Sequence, residues 1–198
     1  DTPEYEPKAE NSCAKLAERS GVGPLELVYD WLMANEGEGL VYFPSFNFAY
    51  QHLGHLHTLL THERIMLSLA DGGAHVGFIC DVSMPTYLLT HWARDRQGEQ
   101  LPLAFCVKKQ SLDTARVYGL HDRGSIEVGK KADLNLIDFA KLKLGLPKMV
   151  YDLPAGGKRL TQSAEGYLAT YVNGQAIMRG GEATGVMAGK LLRGPRAL

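Results

Sequence analysis

The sequence predicts an α/β chain whose second part turns to antiparallel β. Three observations predict it. Short apolar runs of strand type alternate with helical patterns up to about residue 120. One of those runs, Arg64–Ala70 (RIMLSLA), is nearly continuous in hydrophobicity, as a parallel strand covered on both faces would be. From Gly124 onward apolar residues alternate between glycine-bearing turns. There an Asn-Gly pair, Asn173-Gly174, is flanked by Tyr171-Val172 and Ala176-Ile177, the signal of a tight hairpin.

The elements follow in order. Asn11–Arg19 reads as a helix stopped by Gly21 and Gly23. Pro24 then opens a second helix, PLELVYDWLMANE, at a position where its missing N–H costs nothing. Leu25, Leu27, Val28, Trp31 and Leu32 keep a helical period along it. Gly39–Pro44 (GLVYFP) reads as a strand, and NFAYQHLGHLHTLLTHE as a helix with Gly54 as its weak point. After the strand Arg64–Ala70, MPTYLLTHWARD and LPLAFCVKKQSLDTARVYGL read as helices. Two parallel strands cannot close a barrel or bury both their faces. The sheet therefore draws its other strands from chain outside this sequence, or from segments that do not read as strands. The texture changes between residues 122 and 123, which divides the chain into 1–122 and 123–198.

Composition narrows the function classes. The 198 residues are 45% hydrophobic, and 21 basic against 22 acidic residues leave a net charge of −1. No run of like charge makes an electrostatic case for nucleic acid or an anionic membrane. Nothing approaches the roughly 20 consecutive apolar residues of a membrane span. Three widely spaced cysteines, Cys13, Cys80 and Cys106, suggest neither a disulfide framework nor a zinc knuckle. They fit a reducing compartment, and a cytoplasmic setting is expected. No phosphate-binding Walker loop, dinucleotide fingerprint or G-x-S-x-G elbow is present. The opening DTPEYEP has neither a methionine nor an apolar segment and reads as the interior of a longer chain.

The chemistry concentrates in Ile65–Gly77, IMLSLADGGAHVG. Asp71 ends an apolar run and meets two glycines. In parallel α/β architectures functional side chains gather at the C-terminal ends of strands. A carboxylate at that address can accept a proton from a metal-held water; equally, it can cap the loop or the next helix. Gly72 and Gly73 would allow positive φ and close approach of a substrate to the backbone. His75 could donate to a substrate carbonyl or carboxylate, or bond only to backbone.

Other candidates are weaker. HLGHLHTLLTH holds His52, His55, His57 and His62. An H-x-H suits a metal on a strand, but on a helix residues two apart point about 200° apart. His52 and His55 share a helical face, and a solvated helix accounts for all four. His91 and Trp92 either line the mouth beside the glycine loop or pack the helix, with Arg94 and Arg96 at its polar end. Cys80 is a reactive thiol only if it is exposed and electropositive; otherwise it is a buried one.

Three segments carry a family resemblance. LADGGAHVGFICDVSMPTYLLTHWARDR resembles the chain after the last barrel strand of the N-acyl-D-amino-acid deacylases, a branch of the amidohydrolase superfamily. TARVYGLHDRGSIEVGKKADLNLIDF is similar to a wider superfamily pattern, A-R-x-x-G-L followed by G-x-I-x-x-G-x-x-A-D-L. YVNGQAIMRGGEATGVMAGKLLRG resembles the family's closing hairpin and tail. The resemblance implies a partial TIM-type (β/α)8 barrel, its strands seven and eight being GLVYFP and RIMLSLA, followed by part of a β-sandwich. It implies hydrolysis of the amide bond of an N-acyl-D-amino acid, with zinc in the complete enzyme. Asp71 would be general base and metal ligand, and Gly73 and His75 would meet the substrate. The family's first-strand H-x-H, its bridging residue and its two further histidines match nothing here. The resemblance therefore implies a C-terminal fragment, inactive and without bound zinc when alone, and self-associating through uncovered strand edges. Two alternatives stand beside it. One is another amidohydrolase of cyclic amides, similar to dihydropyrimidinase. The other is a non-catalytic truncated protein acting by oligomerisation or partner binding.

Overall fold

In the computed structural model, residues 3–44, 46–67, 72–73 and 75–195 are described. The chain divides into two compact units, one of Glu4–Leu59 and one running from Leu60 onward.

In the smaller unit, α1 (Cys13–Ser20) begins where Ser12 Oγ accepts the Lys15 N–H at 3.3 Å. It ends where Gly21 turns left-handed at φ 70° and its N–H meets the carbonyls of Ala17 and Glu18. These are the two devices that satisfy open backbone groups at helix ends. α2 (Pro24–Gly37) starts on Pro24 and loses helical geometry at Ala34, Asn35 and Glu36, the last two at positive φ. The chain then folds back so closely that a Cβ on Gly39 would lie 1.7 Å from the Trp31 carbonyl oxygen. Only glycine fits there. The apolar period of α2 is only partly covered: Leu27 and Val28 are half-buried, while Leu25 is 86% exposed.

α3 (Gly54–Thr61) is shorter than the sequence predicts. Asn47 and Gln51 both sit at φ 60°, which no α-helix accommodates. His52 Nδ1 accepts the Gly54 N–H at 2.9 Å and Glu6 accepts the Leu53 N–H at 2.7 Å, so side chains take the donors at the start of the helix.

In the larger unit, α4 (Met84–Tyr87) runs on through a π-helical stretch, Leu88–Asp95. α5 (Leu103–Lys108) likewise continues through a π-helical stretch, Lys109–Asp113, into α6 (Thr114–Val117). Their inner faces supply Leu88, Leu89, Trp92, Cys106 and Ala115 to a core that Leu101, Leu142, Leu144 and Ala169 complete. Arg94 and Arg96 are not a solvated end. Arg94 donates to the carbonyls of Phe139 and Leu142 and pairs with Asp95. The Arg96 guanidinium lies 4.8 Å from the Trp92 ring centroid. His91 stacks on Tyr87, centroids 4.5 Å apart.

The strands are β1 (Leu134–Ile137), β2 (Lys143–Leu144), β3 (Lys148–Leu153), β4 (Gly157–Thr161), β5 (Ala164–Glu165), β6 (Tyr167–Val172), β7 (Gln175–Arg179) and β8 (Glu182–Ala183). They form a four-stranded sheet in the order β1-β6-β7-β8 and two pairs, β2-β5 and β3-β4, and every pairing is antiparallel. The β6–β7 hairpin turns on Asn173 (φ 51°) and Gly174 (φ 76°), as the Asn-Gly pair predicts.

The A-D-L segment owes its pattern to this turn. Asp133 accepts the Asn173 N–H at 2.8 Å through one oxygen and Arg123 Nη1 at 2.9 Å through the other. Gly174 N–H donates to Ala132 O at 2.9 Å. Upstream, Gly124 holds φ 90° with room for no side chain, since a Cβ would lie 2.9 Å from that of Ala115.

Of the two expected barrel strands, the first is corrected, and the second lies partly outside the described residues. Gly39–Pro44 forms no strand, and neither do residues 64–67; residues 68–70 lie outside the described residues. A parallel strand needs a neighbour to take its N–H and C=O groups, and the described residues provide none. The edge-strand argument for self-association accordingly has no strand to rest on at Gly39–Pro44. The helix-to-strand change falls between Val117 and Leu134. No helix among the described residues is long and apolar enough to cross a membrane.

Cys106 gives a test of the core. It is fully buried, and desolvation pushes its thiol up to about 11 from 9.0. A thiol reagent at neutral pH is expected to label Cys106 only after unfolding. Because the unfolded thiol ionises first, stability is expected to decline as pH climbs past 9 toward 11. A denaturation series at stepped pH, with Cys106→Ala as reference, reads this contribution directly.

Candidate active-site loop

The described residues on either side of the glycine loop make backbone and side-chain bonds. Downstream, Val76 O accepts the Leu160 N–H of β4 at 2.6 Å. Within the loop, the His75 carbonyl accepts both the Phe78 and Ile79 N–H groups at 3.0 Å, closing a helical turn. Upstream, Lys109 Nζ donates to Ile65 O at 2.7 Å and His62 O at 3.2 Å. His62 in turn accepts the Arg64 N–H on its Nδ1 at 3.1 Å.

Asp71, the carboxylate on which the sequence reading centres, lies outside the described residues. Gly73 and His75 are both exposed, and a Cβ on Gly73 would meet nothing within 4 Å. Among the described loop residues a left-handed φ falls on His75, at 49°. That conformation is uncommon for a residue with a Cβ, and histidine is among the residues that adopt it most readily. The His75 ring packs tilted against Phe78, with centroids 5.5 Å apart. Gly72 approaches Val82, where a Cβ would sit at ordinary contact distance, 3.4 Å.

Cys80 is half-buried, and its thiol is pushed up by burial first and by the neighbouring Asp81 second. It is therefore the opposite of an activated nucleophile. His52 precedes α3 rather than sharing its face with His55, and their rings stand 6.4 Å apart with Tyr50 against both. Among the described residues, no group of three or more His, Cys, Asp or Glu is placed to hold a metal ion. Those residues do not by themselves fit a zinc centre, which takes about four donors.

Lys109 is the residue that sequence reading passed over. It was part of a helix with no role, yet it follows buried Cys106 by three positions and so falls on the same helix face. A lysine at that spacing is the signal that marks it.

Residues 23–178, well over half of the chain, match the model of the amidohydrolase family. The chain belongs to that family. Among curated proteins it is similar to an allantoinase of Deinococcus radiodurans, 36% identical over 99 residues. That match covers 50% of this chain and 21% of the relative. No solved structure matches the chain.

Proposed function

We propose that this chain is the C-terminal part of an amide-bond hydrolase of the N-acyl-D-amino-acid deacylase type. The observation that carries the reading is the D-G-G-A-H loop followed at close distance by L-L-T-H-W-A-R-D-R, within a chain of the amidohydrolase family. In this reading Asp71 takes a proton from the attacking water and returns it to the leaving amine. His75 and Gly73, exposed on the loop, meet the acyl-amino-acid substrate. The zinc that the resemblance implies would be held largely by residues of a longer polypeptide, as the described residues do not supply its ligands.

A second reading, a hydrolase of cyclic amides, is favoured by the allantoinase match, since allantoin is a cyclic ureide. The two are separated by assaying the complete enzyme on N-acetyl-D-leucine, N-acetyl-L-leucine, allantoin and dihydrouracil. Release of leucine from the D-enantiomer alone is the expected result. Ring opening of allantoin or dihydrouracil without amine release would transfer the assignment to the second reading.

A further inference from the structure

We propose that Leu160 is a positioning residue for the turn that presents His75, acting through its backbone N–H. The inference rests on the reading of His75 as a substrate contact. His75 and Phe78 are exposed on this turn, while Val76, Gly77, Ile79 and Cys80 are half-buried. The turn therefore has an outer face for a ligand and an inner face against the protein. His75 holds φ 49°, and its carbonyl takes the N–H groups of Phe78 and Ile79. A residue with a Cβ keeps a left-handed backbone only where its surroundings determine it. A contact that fixes this turn from the β layer thus helps to set where the imidazole stands.

That contact comes from β4. Leu160 N–H donates to Val76 O at 2.6 Å. β4 belongs to an antiparallel two-stranded unit, in which Leu160 lies opposite Met149 of β3. Residues of an antiparallel pair alternate between bonding across the ladder and turning their N–H and C=O outward. Leu160 is of the outward kind, because its N–H is taken by Val76. The open edge of a strand is a row of donors and acceptors ready for another stretch of backbone. Here that backbone belongs to the residue next to His75.

A second, weaker tie acts at the far end of the turn. Cys80 Sγ–H donates to Gln162 Oε1 at 3.9 Å, and Gln162 Nε2 donates to Gly145 O at 2.8 Å. Gln162 follows Leu160 closely in the chain, so one stretch of the β layer meets the turn at Val76 and again at Cys80. Val76 adjoins His75, so the Leu160 bond governs the place of the imidazole more closely than the Cys80 bond does.

The test uses the complete enzyme and N-acetyl-D-leucine. Proline at an outward-facing strand position removes the N–H without breaking the ladder. Leu160→Pro is expected to lower kcat/KM about tenfold, the effect of a modest misplacement of a group that touches substrate. Leu160→Ala, which keeps the N–H, should retain most of the activity. KM and kcat should move in Leu160→Pro as they do in His75→Ala. The double variant should be no worse than His75→Ala alone, since changes that act through one contact do not add. Hydrogen exchange at the Phe78 and Ile79 amides should quicken in Leu160→Pro and not in Leu160→Ala, reporting release of the turn. If Leu160→Pro does not fold, the α-hydroxy-acid analogue of leucine at this position, which exchanges the N–H for an ester oxygen, is read in the same way. An impaired His75→Ala beside a Leu160→Pro within about twofold of wild type overturns the positioning role alone. Wild-type kinetics in His75→Ala overturn the reading of His75, and the positioning role falls with it. Equal losses in the Pro and Ala variants, or additive losses in the double variant, reduce Leu160 to a packing residue and also overturn the proposal.

Discussion

Asp71→Asn in the complete enzyme is expected to lower kcat by about 10²–10⁴-fold, the usual cost of losing a general base. The loss should be at the upper end or beyond if the same carboxylate also protonates the leaving amine, since one substitution then disables two steps. Asparagine keeps the size of aspartate and one accepting oxygen, so the loop should keep its shape and the protein its thermal transition. What the amide lacks is basicity: it cannot take a proton from water at neutral pH. Steady-state kinetics on N-acetyl-D-leucine, paired with metal analysis of both proteins, makes the measurement. His75→Ala provides the contrast, because a residue that only touches substrate should shift KM and kcat together while the pH profile holds. Turnover within tenfold of wild type in Asp71→Asn would sink the assignment of the loop as the catalytic end of a strand.

Trp92→Ala is expected to cost the larger unit about 3–5 kcal/mol, the usual range for deleting a buried aromatic side chain. Trp92 is 3% exposed, and the Arg96 guanidinium covers its ring. The same residue's carbonyl accepts the Leu101 N–H at 2.7 Å, so the cavity opens where one helix hands the chain to the next. For a chain of this size each kcal/mol lowers Tm by roughly 2–4 °C, so the shift should be readily seen by calorimetry. Leu25→Ala is the control. With Leu25 86% exposed, it should change stability by no more than about 0.5 kcal/mol. Trp92→Ala with an unchanged transition would mean that the helices do not pack as described.

Some of this molecule could be read directly from its residues. Ser12 and Gly21 mark the two ends of α1 because their chemistry is local: a hydroxyl for a free N–H, and a missing Cβ for a left-handed turn. Asn173-Gly174 marks the hairpin for the same reason. Gly39–Pro44 misled because an apolar aromatic run is a necessary sign of a strand but not a sufficient one; pairing is a property of the neighbour. The π-helical stretches left no trace in the sequence, since a widened turn uses the same residue types as a regular one. The positive φ on His75 was not legible, since the sequence offers Gly72 and Gly73 as the permissive positions and permissiveness does not require the conformation. For the candidate site, the sequence offers the motif around Asp71, a residue outside the described ones. The burial of Lys109 was not legible, because its bonds to Ile65 and His62 span 44 and 47 positions of sequence.

Arg94 has a consequence in time rather than in space. The carbonyls that it holds belong to residues 45 and 48 positions later in the chain. During synthesis the helical stretch from Met84 to Asp95 therefore emerges well before its anchor exists, and its guanidinium remains in water until Leu142 has left the ribosome. At 5–20 residues per second that delay is on the order of seconds. Helices themselves form in about a microsecond, so the wait is set by translation and not by the helix. Through that interval Leu88, Leu89 and Trp92 have no β layer to cover them, and the nascent chain is at its most adhesive just before the core can close.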